Sequence, residues 1–310
     1  MAQVNMQQVK ELRDRTQAGL NDCKGALVEA EGDMDKAVEI ILKKGLAKSA
    51  KRAGAVATEG EVAARIASDA KRGVIVEVNI QTDFAARNDD FKAFVAKVLD
   101  VAELTESGAD LATQPFPGGV GTVEENRQAL VGKLGENITI RRWAKLTADA
   151  AGFVHSYVHM GGKVGVLLAL SCKDAATAKT SDVVKLADDL AMQAAAMSPL
   201  YLRGEEIPAD AIAKQTDIYN AQLEEEKKPA QARPKIIEGK LAKWRKEVCL
   251  LEQVSVLDSA KSVADMIAET SKAVGGEVRV EAFVRYERGE GIEKPQGKDF
   301  AAEVAEMSNG

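Results

Sequence analysis

Apolar residues recur through the first 45 residues at helical spacing. Met6, Val9 and Leu12 mark a first helix, which Thr16-Gln17-Ala18-Gly19 ends. Asn21 is placed to cap a second, with Cys23, Ala26, Leu27 and Ala30 as its apolar positions. Asp33 caps a third, with Ala37, Ile40 and Ile41 inward and Gly45 as its stop. Three helices this short bury little, so residues 1–45 read as a docking module that is marginal alone. The Ala/Lys-rich residues 46–57 read as a basic, part-helical tether.

The pattern changes near Thr58. Residues 61–66 and 73–80 are strand-like, and Ser68-Asp69-Ala70-Lys71 suits the turn between them. A helix with Phe91, Phe94, Val95, Val98 and Leu99 follows, then a loop with Pro115, Pro117, Gly118 and Gly119. A further helix near residues 123–134 and a strand over 137–143 complete this stretch. From residue 153 the plan repeats. Strands over 153–159 and 163–170 flank Gly161-Gly162, and a helix from Ser181 carries Val184, Leu186, Ala187, Leu190, Ala194 and Ala195. This echo at a period of roughly 90 residues predicts two related lobes, residues 58–147 and 148–286.

An antiparallel helical hairpin, residues 209–246, is inserted in the second lobe. Ile212, Tyr219 and Leu223 stripe its first helix and Ile237, Leu241, Trp244 and Val248 mark the second, with Pro229 and Pro234 between them. Residues 248–256 and 277–286 read as strands bracketing a helix over 262–274. Residues 287–310 form a C-terminal loop and a last helix, 299–307, with Phe300, Val304 and Met307 on one face. The fold class is therefore α+β.

Composition narrows the function. The 310 residues suffice for two or three domains of roughly 100–150 residues. A net charge of −6 and 4% aromatic residues argue against a general binder of DNA or RNA backbone, which needs concentrated basic surface and stacking rings. The densest basic stretch, Lys43, Lys44, Lys48, Lys51 and Arg52, is either a solvated face or a contact to RNA or a ribosome. Apolar runs such as residues 164–170 are far shorter than the roughly 20 residues of a membrane helix. No secretory or transit pattern opens the chain. Cys23, Cys172 and Cys249 are too widely spaced for a disulfide framework or zinc site. A cytoplasmic protein with reduced thiols, away from membranes, is expected.

Catalytic chemistry is sparsely supplied. His155 and His159 sit on one predicted strand, on one face but roughly 13 Å apart, too far to share a metal. No phosphate-binding glycine loop, nucleophile elbow or zinc motif is present. Neither a catalytic residue, a cofactor nor a bound metal is expected. One segment stands out: Gln81-Thr82-Asp83-Phe84-Ala85-Ala86-Arg87-Asn88 leaves a buried strand and sets a carboxylate beside an aromatic ring. Two readings are open. Asp83 caps a helix with Phe84 folded into the core, or the pair is a rigid wedge presented to a partner.

Several segments resemble the elongation factor Ts family. They are Val9-Lys10-Glu11-Leu12-Arg13 with Thr16, Asp22-Cys23-Lys24 with Ala26-Leu27, and Gly32-Asp33. Thr82-Asp83-Phe84 with Ala86-Arg87-Asn88, Gly135-Glu136-Asn137-Ile138 with Arg141-Arg142, and the tail Gly289 to Lys294 with Asp299-Phe300-Ala301 continue the likeness in order. Departures fall at Gln17, usually Gly, at Ala85, often Val, and at residues 194–199, which lack a His that often opens that segment. The resemblance implies a ubiquitin-associated-like N-terminal module, a two-lobed core with small antiparallel sheets, and a nucleotide-exchange factor for the GTPase elongation factor Tu. It implies that Thr82, Asp83, Phe84, Ala85, Ala86 and Arg87 disturb the partner's Mg²⁺. It implies further partner contacts at Leu12, Gly19, Leu20, Leu134, Gly135, His159, Phe300 and Val304, and it adds self-association through the hairpin as a use in some members.

Overall fold

A computed structural model describes residues 4–16 and 18–293. Helices α1 (Met6–Thr16), α2 (Leu20–Glu29) and α3 (Met34–Arg52) open it. Val9, Leu12, Cys23, Ala26, Leu27, Ala37 and Ile41 make their shared core. Asp33 caps α3 as expected, its carboxylate accepting the Asp35 and Lys36 N–H groups. Asn21 does not cap α2; extended Gly19 holds that position, ahead of it in the chain. Nor does Gly45 stop α3, which continues to Arg52. Gly45 lies where α3 crosses a later helix so closely that a Cβ would sit 3.3 Å from the Ala129 Cα. The glycine serves close approach, not termination.

The first lobe runs β1 (Glu59–Ile66), β2 (Arg72–Ile80), α4 (Asp83–Ala86), α5 (Asp89–Leu104), α6 (Val123–Leu134) and β3 (Ile138–Thr147). The second runs β4 (Phe153–His159), β5 (Val164–Cys172), α7 (Ser181–Met197), α8 (Ala209–Glu225), α9 (Arg233–Val248), α10 (Val263–Ala273) and β6 (Val278–Glu287). Each lobe holds a three-stranded antiparallel sheet, ordered β1-β2-β3 and β4-β5-β6. The fold is α+β. The sheets stack face to face through Val62, Ile75, Val154, Leu167 and Ala169. Helices cover their outer faces, α5 and α6 over the first core and α7 and α10 over the second.

The repeat is visible in backbone detail. Gly73 and Gly165 each occupy the second position of a central strand. A Cβ at Gly73 would meet Val154 Cγ1 at 2.8 Å, and one at Gly165 would meet Val62 Cγ1 at 2.6 Å. Both glycines let the opposing sheet approach. Four residues beyond each, the ladder slips, between Glu77 and Val78 and between Ala169 and Leu170. These bulges bend the third strand of each sheet.

Two local expectations change. Val183, not Val184, faces the second core, because α7 begins its buried stripe one residue earlier. Residues 248–256 do not form a strand: a 3₁₀ turn, Leu250–Glu252, lets Cys249 and Leu250 enter the core instead. In the α8–α9 hairpin only Leu223 and Ile237 are fully packed. Pro234 begins α9 rather than separating it from the turn. The helix expected over 299–307 lies outside the described residues.

Candidate functional site

Strand β2 ends at Ile80, paired to Glu59 and Ile138. The chain then turns into the single helical turn α4. Thr82, not Asp83, is the N-cap: its hydroxyl accepts the Ala85 N–H at 3.2 Å. Asp83 is left to pair with Arg87 at 2.9 Å, both exposed. Ala85 is buried and Ala86 packs on the first core, so α4 is pinned by its inner side. Phe84 points the other way and is 86% exposed. The reading with Phe84 in the core is therefore contradicted. A phenylalanine left in water forgoes roughly 1.5–3 kcal/mol of burial, so the ring contributes nothing to the first core.

The turn is braced by the connection between α6 and β3. Gly135, in the left-handed region at φ 76°, ends α6 and donates its N–H to Val131 at 2.8 Å. Glu136 then reaches Thr82 with both carboxylate oxygens, one accepting the Thr82 N–H at 3.0 Å and the other the Thr82 hydroxyl at 2.7 Å. Asn137 donates its N–H to Gln81 Oε1 at 2.7 Å and its side-chain amide to Ala55 O at 2.8 Å. Gln81, Glu136 and Asn137 carry no assigned role in the sequence reading. The signal available was Gly135 as a left-handed helix stop, with an acid directly after it.

Other candidate residues fall around this end of the sandwich. Leu134 packs against the first core beside Gly135. The β4–β5 turn closes on β1, where Gly162 O accepts the Val62 N–H at 2.8 Å, bringing His159 and the exposed Met160 to the same end. His159 Nδ1 lies 2.8 Å from the Tyr157 hydroxyl, and the two rings stack at 5.8 Å. His155 instead sits 2.8 Å from the Asp188 carboxylate on α7, so the two histidines have separate surroundings.

Lys48 joins the N-terminal helices to this region, with Nζ 3.1 Å from Asp22 and 3.4 Å from Gly132 O. That contact holds the Gly19–Leu20 corner beside the last turn of α6, with Leu20 exposed. Leu12 is different. Its side chain is fully buried among the three helices, so it supports their packing and offers no surface to a partner. Phe300 and Val304 lie outside the described residues.

Burial pushes all three thiols up, Cys249 to about 11. Thiolates are thus scarce at neutral pH. Among the described residues no cluster of three His, Cys, Asp or Glu could hold a metal ion, and no helix is long and apolar enough to cross a membrane. Three lysines of the basic stretch are paired within the protein: Lys43 with Glu39, Lys44 with Glu29 and Lys48 with Asp22.

The chain is similar to known proteins along nearly its whole length. Residues 81–290 match the family model described as Elongation factor TS. The Elongation factor Ts of a Nitratiruptor species is 48% identical over 305 residues, covering 97% of this chain and 98% of its own. That of Clostridium botulinum (strain Alaska E43 / Type E3) is 44% identical, covering 98% and 99%. That of Nautilia profundicola is also 44% identical, over 98% and 99%. Matched by the family model over residues 81–290 and by Elongation factor Ts proteins along nearly its whole length, the chain belongs to the elongation factor Ts family.

Proposed function

We propose that this protein is a guanine-nucleotide exchange factor for elongation factor Tu. It binds the GTPase, brings the Asp83–Phe84 turn against the partner's Mg²⁺ site and promotes GDP release during translation elongation. The observation that carries the reading is Phe84, 86% exposed on a turn tied to the α6–β3 connection through Thr82–Glu136 and Gln81–Asn137. An apolar ring presented rigidly suits insertion into a pocket, because little conformational freedom is lost on binding. The Asp83 carboxylate beside it would compete with the oxygen ligands a Mg²⁺ ion prefers.

This role needs no nucleophile or proton relay in the chain. Exchange follows from binding the nucleotide-free partner more tightly than the loaded one; reciprocity then weakens nucleotide by the same factor. Several contact patches favour such coupling. Gly19–Leu20, Leu134–Gly135, the Thr82–Arg87 turn and His159 are proposed contacts in the described region, with Phe300 and Val304 as a separate C-terminal grip. The alternative of RNA binding through the Lys43–Arg52 stretch loses support because three of its lysines are already paired. Residues 1–45, 46–57, 58–147, 148–286 and 287–310 remain the proposed working divisions. The test is release of labelled GDP from elongation factor Tu on addition of the purified chain. Acceleration at catalytic amounts is expected; an unchanged rate refutes the proposal.

A further inference from the structure

A helix of four residues has almost no strength of its own, since nucleation fixes several residues for a single bond. Within α4 and its ends the backbone bonds are Ala86 N–H to Thr82 O at 3.1 Å, Arg87 N–H to Phe84 O at 3.2 Å and Asn88 N–H to Ala85 O at 3.1 Å. The exposed Phe84 ring is hardly packed by the protein, so its direction follows the backbone that carries it. That backbone is set at Thr82. The Thr82 hydroxyl works in both senses, accepting from Ala85 N–H and donating to Glu136. Its N–H donates to the other Glu136 oxygen. Glu136 thus fixes the orientation of the cap, and the cap fixes the turn.

We propose that Glu136 is a positioning residue for the Asp83–Phe84 turn, acting through Thr82 and not by touching the partner. This rests on the exchange reading. Two adjacent rungs, Gln81 with Asn137 and Thr82 with Glu136, join the β2–α4 and α6–β3 connections, and the second is bidentate to a charged acceptor. Bonds to ionised groups are stronger than neutral ones. Gly135 lets the chain leave α6 in the conformation that brings Glu136 to this place. Glu136 as a residue is half-buried, and both of its bonds to Thr82 lie at the exposed surface.

The experiment uses the full chain with Glu136→Ala, Glu136→Gln, Thr82→Val, Thr82→Ser and the Glu136→Ala/Thr82→Val double variant. Without partner, amide hydrogen exchange is followed at Ala85 to Asn88, and thermal unfolding by circular dichroism. With elongation factor Tu, the maximal GDP-release rate and the half-saturating concentration are measured separately. In Glu136→Ala, amide exchange should rise and the maximal release rate fall by about tenfold, as for loss of a charged hydrogen-bond pair. The half-saturating concentration and unfolding midpoint should scarcely move. Thr82→Val keeps its N–H bond to Glu136 but loses the hydroxyl bond and the cap on Ala85, so it should show a comparable fall. The double variant should lose less than the sum of the two singles, and Thr82→Ser should restore near-normal values. Glu136→Gln, which keeps one acceptor, should fall between.

Unchanged amide protection, or additive losses in the double variant, would overturn the proposal. So would a shifted half-saturating concentration at full maximal rate, which would make Glu136 a direct contact. Phe84→Ala separates the two levels. If it leaves release unaltered, the exchange reading of the turn fails, while the amide measurements still judge the clamp.

Discussion

The carboxylate of Glu77 on β2 accepts the backbone N–H of Gly289 at 2.7 Å, from a residue 212 positions later in the chain. The Glu77 side chain is 0% exposed. Arg141 Nη1 at 3.0 Å, Arg142 Nε at 2.5 Å and Asn79 Nδ2 at 3.1 Å supply its other donors. Arg142 also donates to Glu287 O at 3.1 Å and lies 4.3 Å above the Tyr286 ring. The chain leaving the second lobe is thereby fastened to the strand that leads into the Thr82 turn. A buried charge is tolerated only when its oxygens are satisfied, and here they are.

The latch predicts an acid-sensitive fold. Burial alone would raise the Glu77 pKa, but the Gly289 N–H, Arg141, Asn79 and Arg142 together bring it below the ordinary value. Its contribution is therefore fully present above the unfolded glutamate pKa of about 4.3 and is lost as pH falls toward the lower folded value. Glu77→Gln should cost about 2–3 kcal/mol at pH 7 and flatten the acid limb. Urea unfolding at pH 7 and at successively lower pH measures both. Equal pH slopes in the two proteins would show that Glu77 does not carry this dependence.

The paired glycines predict matched packing costs. Gly73→Ala and Gly165→Ala each push a Cβ into the opposing sheet, so each should destabilise by about 1–3 kcal/mol. Denaturant midpoints with unchanged slopes are the measurement. A neutral result at both would mean the sheets have room to part.

Much of this architecture was legible in the sequence. The strand pair, the later helices and the repeat followed from apolar periodicity and from turn residues such as Gly161-Gly162. What stayed hidden was mostly tertiary. Gly45 looked like a helix stop because glycine usually is one; its actual use, approach to Ala129, depends on a helix more than 80 residues away. The 248–256 segment is apolar enough for a strand, but Cys249 and Leu250 are drawn into the core by a short 3₁₀ turn. The sequence leaves Phe84 undecided, because an aromatic after a strand can face either way. Only the Thr82 cap and the burial of Ala85 decide that it faces out.

Contact between α3 and α6 makes the N-terminal helices part of the same surface. Removing residues 1–45 should leave the two lobes folded, since their cores lie elsewhere. It should weaken association with elongation factor Tu by taking away the Gly19–Leu20 corner. Binding titrations of the truncated chain measure this, and an unchanged affinity and exchange rate would show the corner to be dispensable.

The α8–α9 hairpin is predicted to be peripheral to exchange. Its packed side chains, Leu223 and Ile237, face inward. Its surface is charged, with Arg233 paired to Glu224 at 2.7 Å and Lys240 5.2 Å over the Tyr219 ring. Replacing residues 222–236 with a short Gly/Ser turn should preserve most exchange activity and helical circular dichroism apart from the excised turns. Loss of exchange in a folded, shortened protein would place the hairpin in the interface.

Phe84→Ala tests the central claim most directly. A core phenylalanine would cost roughly 3–5 kcal/mol on truncation, but Phe84 is exposed, so the unfolding midpoint should stay within a few degrees. Stopped-flow measurement of labelled GDP leaving elongation factor Tu should then show the stimulated rate falling by at least about tenfold, the loss expected of a buried aromatic anchor at an interface. A stimulated rate equal to that of the unaltered protein would contradict the account.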